Sequence, residues 1–194
     1  MPINIPNLLT WFRILLIPLV VAIFYLPNDW LSHQDRNLAA TITFAVAAIT
    51  DWLDGYLARI LNQASAFGAF LDPVADKLMV AAVLTVLVQL GRVDALIAFI
   101  IIGREITISA LREWMAKIGR SKSVAVSFLG KVKTVSQMVA VLLLLYEGPV
   151  FGVVDALDVG KFLIYVAAVL TVWSMFYYLR LALPHARGSG GTLP

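Results

Sequence analysis

The sequence predicts an all-α protein that crosses the membrane with six helices. Of its 194 residues, 61% are hydrophobic, and the mean hydropathy is +0.89. Apolar runs follow one another along almost the whole chain, each near the ~20 residues that a helix needs to cross the hydrocarbon layer. We therefore expect a single integral membrane domain over residues 1–183, without a separate soluble domain. The predicted spans are 7–26, 38–61, 69–90, 94–113, 131–147 and 157–183.

The two ends of the chain are interpreted as follows. Residues 184–194 are expected to form a flexible tail, since the run from Gly188 to Pro194 is typical of a linker or an expression remnant. The first apolar run is expected to remain as a helix, because no positive charge precedes it until Arg13 and no small-residue cleavage site follows it. The absence of cysteine excludes disulfides, thiolate metal ligands and a cysteine nucleophile from these residues.

Basic residues are concentrated at one end of the predicted bundle, and cytoplasmic loops carry such an excess. The opposite loops hold Arg36, Arg92 and Lys161 beside several acidic residues. Both termini are therefore predicted to face the cytoplasm, and the net charge of +3 favours anionic lipid headgroups over nucleic acid as a partner. The basic end holds Arg13, Arg59, Lys77, Arg112, Lys117, Arg120, Lys122, Lys131, Lys133, Arg180 and Arg187.

Four aspartates interrupt the apolar sequence at the same predicted end: Asp51, Asp54, Asp72 and Asp76. An ionised aspartate near the centre of a membrane helix costs roughly 2.5–3.5 kcal/mol, so four bare carboxylates would cost on the order of 10 kcal/mol. Something must neutralise them, and divalent cations commonly do this for clustered carboxylates.

The spacing places these carboxylates on two helix faces. At 100° per residue, the stretch from Asp51 to Arg59 presents its unusual residues on an arc of about 140°. Asp72 and Asp76 are four residues apart and share a face of the next helix. Together the two faces can hold one or two hard divalent ions, and a pair of ions can clamp phosphate oxygens during a displacement reaction. The sequence therefore predicts a metal-dependent phosphoryl-transfer site.

Two other interpretations stay open from the residues alone. A single aspartate at a helix end is often only solvated, and glycine and alanine often serve helix packing. Intramembrane carboxylates also line cation carriers and proton pathways. The four aspartates nevertheless lie at one end of the bundle, and no matching acidic series continues to the other end.

The aspartates also belong to a long motif, Asp51-x2-Asp54-Gly55-x2-Ala58-Arg59-x8-Gly68-x3-Asp72-x3-Asp76. At every position it resembles the signature of the CDP-alcohol phosphatidyltransferase family. Three further segments, 4–13, 103–114 and 130–134, are similar to the bacterial members that use glycerol 3-phosphate. The resemblance extends along nearly the whole chain, to about Leu183.

The resemblance implies a six-helix fold, two Mg²⁺ or Mn²⁺ ions and, in many members, a homodimer. It implies transfer of the phosphatidyl group of CDP-diacylglycerol to sn-glycerol 3-phosphate, with release of CMP, in phospholipid biosynthesis. Other acceptors, such as serine, inositol phosphate or phosphatidylglycerol, use the same signature. The expected location is the inner membrane, with several crossings and the active site facing the cytoplasm.

The resemblance also assigns residues. Asp51, Asp54, Asp72 and Asp76 would hold the metals, and Asp76 would also take the proton of the attacking hydroxyl. The residues expected to bind CDP-diacylglycerol are Asn7, Thr10, Arg13, Asp54, Gly55, Ala58, Arg59 and Gly68.

Four basic residues, Arg104, Arg112, Lys131 and Lys133, are our candidates for the phosphate of the acceptor. Arg104 lies inside a predicted span, where an ionisable group commonly faces a bundle interior or cavity. Alternatively, Arg104 pairs only with Glu105, and the two lysines only follow the positive-inside rule.

Overall fold

The computed structural model describes residues 5–61, 66–118, 128–150 and 154–188, and these form a bundle of six α-helices. A short antiparallel hairpin of two strands, β1 (Pro149–Val150) and β2 (Val154–Asp155), precedes the last helix. The helices are α1 (Ile5–Ile23), α2 (His33–Ile60), α3 (Ala66–Gln89), α4 (Ala95–Lys117), α5 (Phe128–Tyr146) and α6 (Ala156–Gly188).

Each predicted span corresponds to one helix, so the all-α class is confirmed. Helix α6 continues beyond residue 183 to Gly188, and residues 189–194 of the predicted tail lie outside the described residues.

Three segments within the described residues are long and apolar enough to cross a membrane: Asn7–Tyr25, His33–Leu57 and Ala156–Leu181. Helices α3 and α4 have 24 and 23 residues, which is sufficient length, but each carries charged residues in its interior. The chain is thus a membrane protein, and the number of six crossings stays a prediction.

Side chains cap three helices at one end of the bundle. The Oγ atom of Ser32 accepts a hydrogen bond from the backbone N–H of Asp35 at 3.2 Å, and α2 begins there. Asp94 caps α4 in the same way, with 2.8 Å from its Oδ1 to the backbone nitrogen of Leu96. Asp155 caps α6 through the N–H of Leu157, also at 2.8 Å. These caps satisfy N–H groups that have no partner inside the helix.

The core lies along the middle of the bundle, where α1 packs on α2 and α3, and α6 packs on α4 and α5. Helices α5 and α6 approach closely at Gly160, since a Cβ atom there would lie 2.8 Å from Cγ of the buried Leu144. Because successive helices run in opposite directions, the first parts of α1, α3 and α5 meet the last parts of α2, α4 and α6. This end of the bundle is called the site end below.

At the opposite end, one arginine joins three parts of the chain. Arg92, in the turn between α3 and α4, is buried, and its Nη1 donates to the backbone oxygens of Leu144 and Leu145 at 2.9 and 3.1 Å. Its Nη2 donates to Oδ1 of Asn37 at 2.9 Å and pairs with the carboxylate of Glu147. Arg92 therefore satisfies carbonyls at the end of α5 and connects them to α2.

Glu147 is the acidic partner in this connection. Besides Arg92, it accepts a hydrogen bond from Asn37 at 2.8 Å and lies 2.8 Å from the Nε2 atom of His33. Partial burial acts to raise the pKa of Glu147, but the hydrogen bonds from His33 and Asn37 and the charge of Arg92 lower it below its ordinary value. We call Arg92, Glu147, Asn37 and His33 the latch.

Replacing Glu147 with glutamine is expected to lower the free energy of unfolding by about 1–3 kcal/mol at neutral pH, because the buried charge of Arg92 loses its counter-charge. Since the pKa of Glu147 is lowered by folding, its contribution is complete above the ordinary value of 4.5 and is lost as the pH falls further. The measurement is thermal unfolding in detergent, followed by tryptophan fluorescence. Glu147→Gln should unfold at a lower temperature than wild type near neutral pH, and this difference should shrink below about pH 4.5.

The control is Asp29→Asn, which changes an exposed acid at the same end and should leave the transition unchanged. A stability difference that persisted undiminished well below pH 4.5 would contradict the role assigned to the Glu147 charge.

Candidate active site

The aspartates of the sequence motif come together at the site end. Asp51 and Asp54 lie in the last third of α2, and Asp72 and Asp76 lie in the first half of α3. Asp72 is close enough to Asp51 and Asp54 for their charges to interact, and so is Asp76 to Asp51. We call these four residues the aspartate cluster.

Arg13 of α1 reaches into this cluster. Its side chain is 1% exposed, its Nη1 lies 2.8 Å from Oδ1 of Asp51, and its Nη2 donates to Oδ2 of Asp54. The side chain of Asp54 is only 5% exposed, whereas that of Asp51 is 38% exposed and lies at the open side. A buried arginine thus balances part of the negative charge, which is how the fold tolerates these carboxylates.

Thr10 lies one turn before Arg13 and makes the matching contact with α3. It is buried, and its Oγ1 donates to Oδ1 of Asp72 at 2.6 Å. Asn7, one turn earlier, is partly buried. One face of α1 therefore connects the carboxylates of α2 and α3, a pairing that the sequence analysis did not assign to Thr10 and Arg13.

Asp76 is the member of the aspartate cluster that borders a second polar region. On one side it lines a small cavity together with Arg13. On the other side it lines a cavity of about 230 Å³, which we call the basic pocket. The remaining lining residues of the basic pocket are Lys77, Val80, Arg104, Glu105, Arg112, Thr134, Gln137 and Met138.

Two of the four candidate acceptor residues, Arg104 and Arg112, line the basic pocket directly. Lys133 is buried beside it and donates to Glu105, whose Oε1 also lies 3.4 Å from Nη1 of Arg104. The side chain of Lys131 lies outside the described residues. The predicted pairing of Arg104 with Glu105 is therefore present, and Glu105 contacts Lys133 as well.

Two neutral residues of the pocket, Thr134 and Gln137 of α5, were missed by the sequence analysis. Thr134 lies within a segment that carries the family resemblance, and Gln137 follows Lys133 by one helical turn. Helical spacing from Lys133 could have found Gln137, but nothing in its residue type marks it as part of a site.

The other predicted residues lie along α2 and at the start of α3. Gly55 is exposed, and a Cβ atom added there would meet no described atom within 4 Å. Gly68 is buried at the start of α3. The side chains of Ala58 and Arg59 lie outside the described residues. Gly55 therefore leaves open space beside Asp54, and helix packing does not explain why the residue is glycine.

The donor set of the aspartate cluster suits a hard divalent ion, because carboxylate oxygens are the ligands that Mg²⁺ and Mn²⁺ prefer. In the described part of the chain, however, no three acidic, histidine or cysteine side chains already converge on a single metal position. Arg13 and Thr10 contact three of the carboxylates. The chemistry of the cluster fits metal binding, and Arg13 is the cation that the carboxylates contact in this arrangement.

This arrangement belongs to a known class of membrane enzymes. The family model described as CDP-alcohol phosphatidyltransferase matches residues 3–173. The chain is therefore a member of the CDP-alcohol phosphatidyltransferase family, as the motif predicted.

Similar proteins occur in Escherichia coli and Shigella flexneri. The chain is 52% identical over 184 residues to the CDP-diacylglycerol–glycerol-3-phosphate 3-phosphatidyltransferase of Escherichia coli (strain K12), covering 94% of this chain and 96% of that protein. It is 51% identical over the same length and coverage to the protein of the same name from Shigella flexneri serotype 5b (strain 8401).

Replacing Arg13 with glutamine should destabilise the protein in EDTA by about 3–5 kcal/mol, because Asp54 keeps a buried charge without its partner. Thermal unfolding in detergent measures the loss. Excess Mn²⁺ should recover part of it, since a bound cation would supply the missing positive charge.

The matched control is Arg180→Gln, the same change at an exposed arginine of α6. It should leave thermal unfolding unchanged both in EDTA and in excess Mn²⁺. An Arg13→Gln protein as stable in EDTA as wild type would show that the arginine does not compensate the carboxylates.

Proposed function

We propose that this protein transfers the phosphatidyl group of CDP-diacylglycerol to sn-glycerol 3-phosphate, releasing CMP and forming phosphatidylglycerol phosphate. The observation that carries the proposal is the 52% identity, over 94% of the chain, to a bacterial enzyme named for this reaction. The intact aspartate motif supports it, since the carboxylates lie beside a pocket that contains arginines.

In the proposed reaction, a hydroxyl oxygen of glycerol 3-phosphate forms a bond to the phosphorus that carries diacylglycerol. The bond from this phosphorus to the bridging oxygen of CMP breaks, and CMP leaves with both electrons. Asp76 takes the proton of the hydroxyl. Its position supports this role, because it lines the basic pocket and also neighbours the charges of Asp51 and Arg13.

The two substrates would bind on opposite sides of Asp76. The cytidine diphosphate part would lie along α2, over the open space at Gly55, in reach of Asn7, Thr10, Arg13, Asp54, Ala58, Arg59 and Gly68. The phosphate of the acceptor would enter the basic pocket, where Arg104 and Arg112 offer forked donors that suit phosphate oxygens. Lys133 and Lys131 would add positive charge near that phosphate.

We infer that Asp51, Asp54, Asp72 and Asp76 hold two divalent cations, Mg²⁺ or Mn²⁺. When bound, such ions would stabilise the negative charge on the diphosphate oxygens and on the leaving CMP. The carboxylate donors support the assignment. Arg13 contacts Asp51 and Asp54 in the structure, and in the substrate complex its guanidinium would donate to the diphosphate oxygens.

We further propose that the site end faces the cytoplasm in the inner membrane. The excess of Lys and Arg at that end supports this orientation, as does the presence there of the groups that would bind two water-soluble species, glycerol 3-phosphate and CMP. Six crossings and a homodimer, both implied by the family resemblance, complete the proposal.

The nature of the basic pocket favours a phosphorylated acceptor over serine. Arg104, Arg112 and Lys77 outnumber the acids Asp76 and Glu105 in its lining, so that a dianionic phosphate would be attracted. Inositol phosphate would satisfy the same preference, whereas the phosphodiester of phosphatidylglycerol carries only one negative charge and would be attracted less. A cation carrier is the alternative of a different class.

The deciding experiment incubates purified protein in mixed micelles with CDP-diacylglycerol and Mg²⁺, and measures CMP release with each acceptor in turn. Release is expected with glycerol 3-phosphate and not with serine, inositol phosphate or phosphatidylglycerol. Release with another acceptor only would overturn the substrate assignment. Mn²⁺ flux into proteoliposomes, without CMP release from folded protein, would favour the carrier.

Asp76→Asn is expected to lower the rate of CMP release by about 10²–10⁴-fold, because the amide cannot accept the proton of the hydroxyl. The matched control is Asp158→Asn, the same change at an exposed acid in the first turn of α6, which should keep the wild-type rate. A normal rate in Asp76→Asn, with unchanged thermal stability, would remove Asp76 from the mechanism.

Gly55→Ala separates a substrate-binding role from a packing role. Alanine should stabilise α2 by roughly 0.5–1 kcal/mol, because it is the better helix former and the added methyl meets no described atom. The same methyl should raise the KM for CDP-diacylglycerol, since it would occupy space proposed for the nucleotide. A stabilised protein with an unchanged KM for CDP-diacylglycerol would locate the nucleotide elsewhere.

A further inference from the structure

The two arginines of the basic pocket are supported from a helix that contributes no residue to the pocket's lining. Arg104 and Arg112 are eight residues apart on α4, and Ile108 lies midway between them on the same face. Ile108 and Met115 are buried against Tyr178 of α6. This face of α4 therefore packs on α6.

Three buried residues of α6 lie on the side of that helix that faces α4: Thr171, Ser174 and Tyr178, which are 0%, 4% and 1% exposed. Their spacing of three and four residues places them on one helix face. We call them the α6 stripe. In the sequence they lie within an apolar run and carry no motif.

Ser174 holds Arg104. The Oγ atom of Ser174 donates to the backbone oxygen of Thr171 at 2.9 Å, which commits its proton to the helix. The same Oγ accepts a hydrogen bond from Nη2 of Arg104 at 3.2 Å. Because a hydroxyl has one proton and two lone pairs, the backbone bond leaves Ser174 as an acceptor toward the guanidinium.

Tyr178 holds Arg112 in another way. The guanidinium carbon of Arg112 lies 5.6 Å from the centroid of the Tyr178 ring, in cation–π range. Arg112 has no carboxylate within salt-bridge distance in the described part of the chain. The ring therefore orients the guanidinium without cancelling its charge.

Each of the two arginines also has one N–H donor that binds no described group. The Nε atoms of both Arg104 and Arg112 are buried and make no hydrogen bond to any described residue. A buried donor without a partner is costly, so these atoms favour an incoming acceptor group such as a phosphate oxygen. Glu105 already lies 3.4 Å from Nη1 of Arg104, and it also contacts Lys133. Ser174 and Tyr178 add no further negative charge that would compete with the phosphate.

We propose that Ser174 and Tyr178 of the α6 stripe are positioning residues that aim Arg104 and Arg112 at the phosphate of the acceptor. The inference rests on the proposed function, because it assumes that the basic pocket takes the phosphorylated acceptor. It adds a second helix to that subsite and predicts a selective effect on one substrate.

The test compares Tyr178→Leu with Tyr178→Phe. Loss of the ring should raise the KM for glycerol 3-phosphate about 5- to 30-fold, while the KM for CDP-diacylglycerol and kcat change by less than about twofold. Tyr178→Phe keeps the ring face and should restore the KM for glycerol 3-phosphate to near the wild-type value. Equal changes in both KM values, or no rescue by phenylalanine, would overturn the positioning role.

Two further variants serve as control and safeguard. Tyr165→Leu makes the same change at a tyrosine of α6 that is 52% exposed and lies toward the latch, and it should leave both KM values unchanged. Ser174→Ala removes only a hydroxyl, so it should fold even if Tyr178→Leu does not. It should raise the KM for glycerol 3-phosphate by about threefold or more. An unchanged value would contradict the proposal.

The failure of this inference can be told apart from failure of the proposed function. If wild-type protein does not transfer to glycerol 3-phosphate, the proposed function fails. Binding of inorganic phosphate, measured by calorimetry, still reports on the pocket in that case. Weaker phosphate binding by Tyr178→Leu than by Tyr178→Phe would support positioning of Arg112, and equal binding would refute it.

Discussion

The structure depends on the pairing of buried charges in an apolar bundle. An unpaired ionised group in such surroundings costs several kcal/mol, which is comparable to the whole stability of a domain. Two buried cations of the site end accordingly have acidic partners on another helix: Arg13 of α1 contacts Asp51 and Asp54 of α2, and Lys133 of α5 contacts Glu105 of α4. The same contacts that hold the helices together also determine where the reactive groups lie.

The two ends of the bundle use charge differently. At the latch, Arg92 is satisfied by a carboxylate, an amide and two backbone oxygens, so its donors are committed to the fold. At the site end, Arg104 contacts the hydroxyl of Ser174 and, at 3.4 Å, the carboxylate of Glu105, which Lys133 shares, and Arg112 contacts the ring of Tyr178. Each of the two arginines has a buried Nε atom without a described partner. The first arrangement stabilises the fold, and the second leaves positive charge available to a ligand.

The sequence predicted the helices and the aspartate cluster because both depend on local patterns. Apolar runs define the spans, and the motif brings together the carboxylates of two consecutive helices. The partners of Arg13 and Thr10 could not be predicted in this way, since they lie 41 and 62 residues away and depend on how α1 packs against α2 and α3. Ser174 and Tyr178 were missed for a related reason, because a serine and a tyrosine in an apolar helix have no distinguishing spacing of their own.

The latch has a consequence for the order of assembly. Its residues, His33, Asn37, Arg92 and Glu147, all precede α6 in the chain. Chains are synthesised from the N-terminus, so the first five helices can close one end of the bundle before the last helix is complete. Helix α6 then arrives at a partly closed bundle and supplies Ser174 and Tyr178 beneath the arginines. Completion of the candidate site is thereby tied to synthesis of the sixth helix.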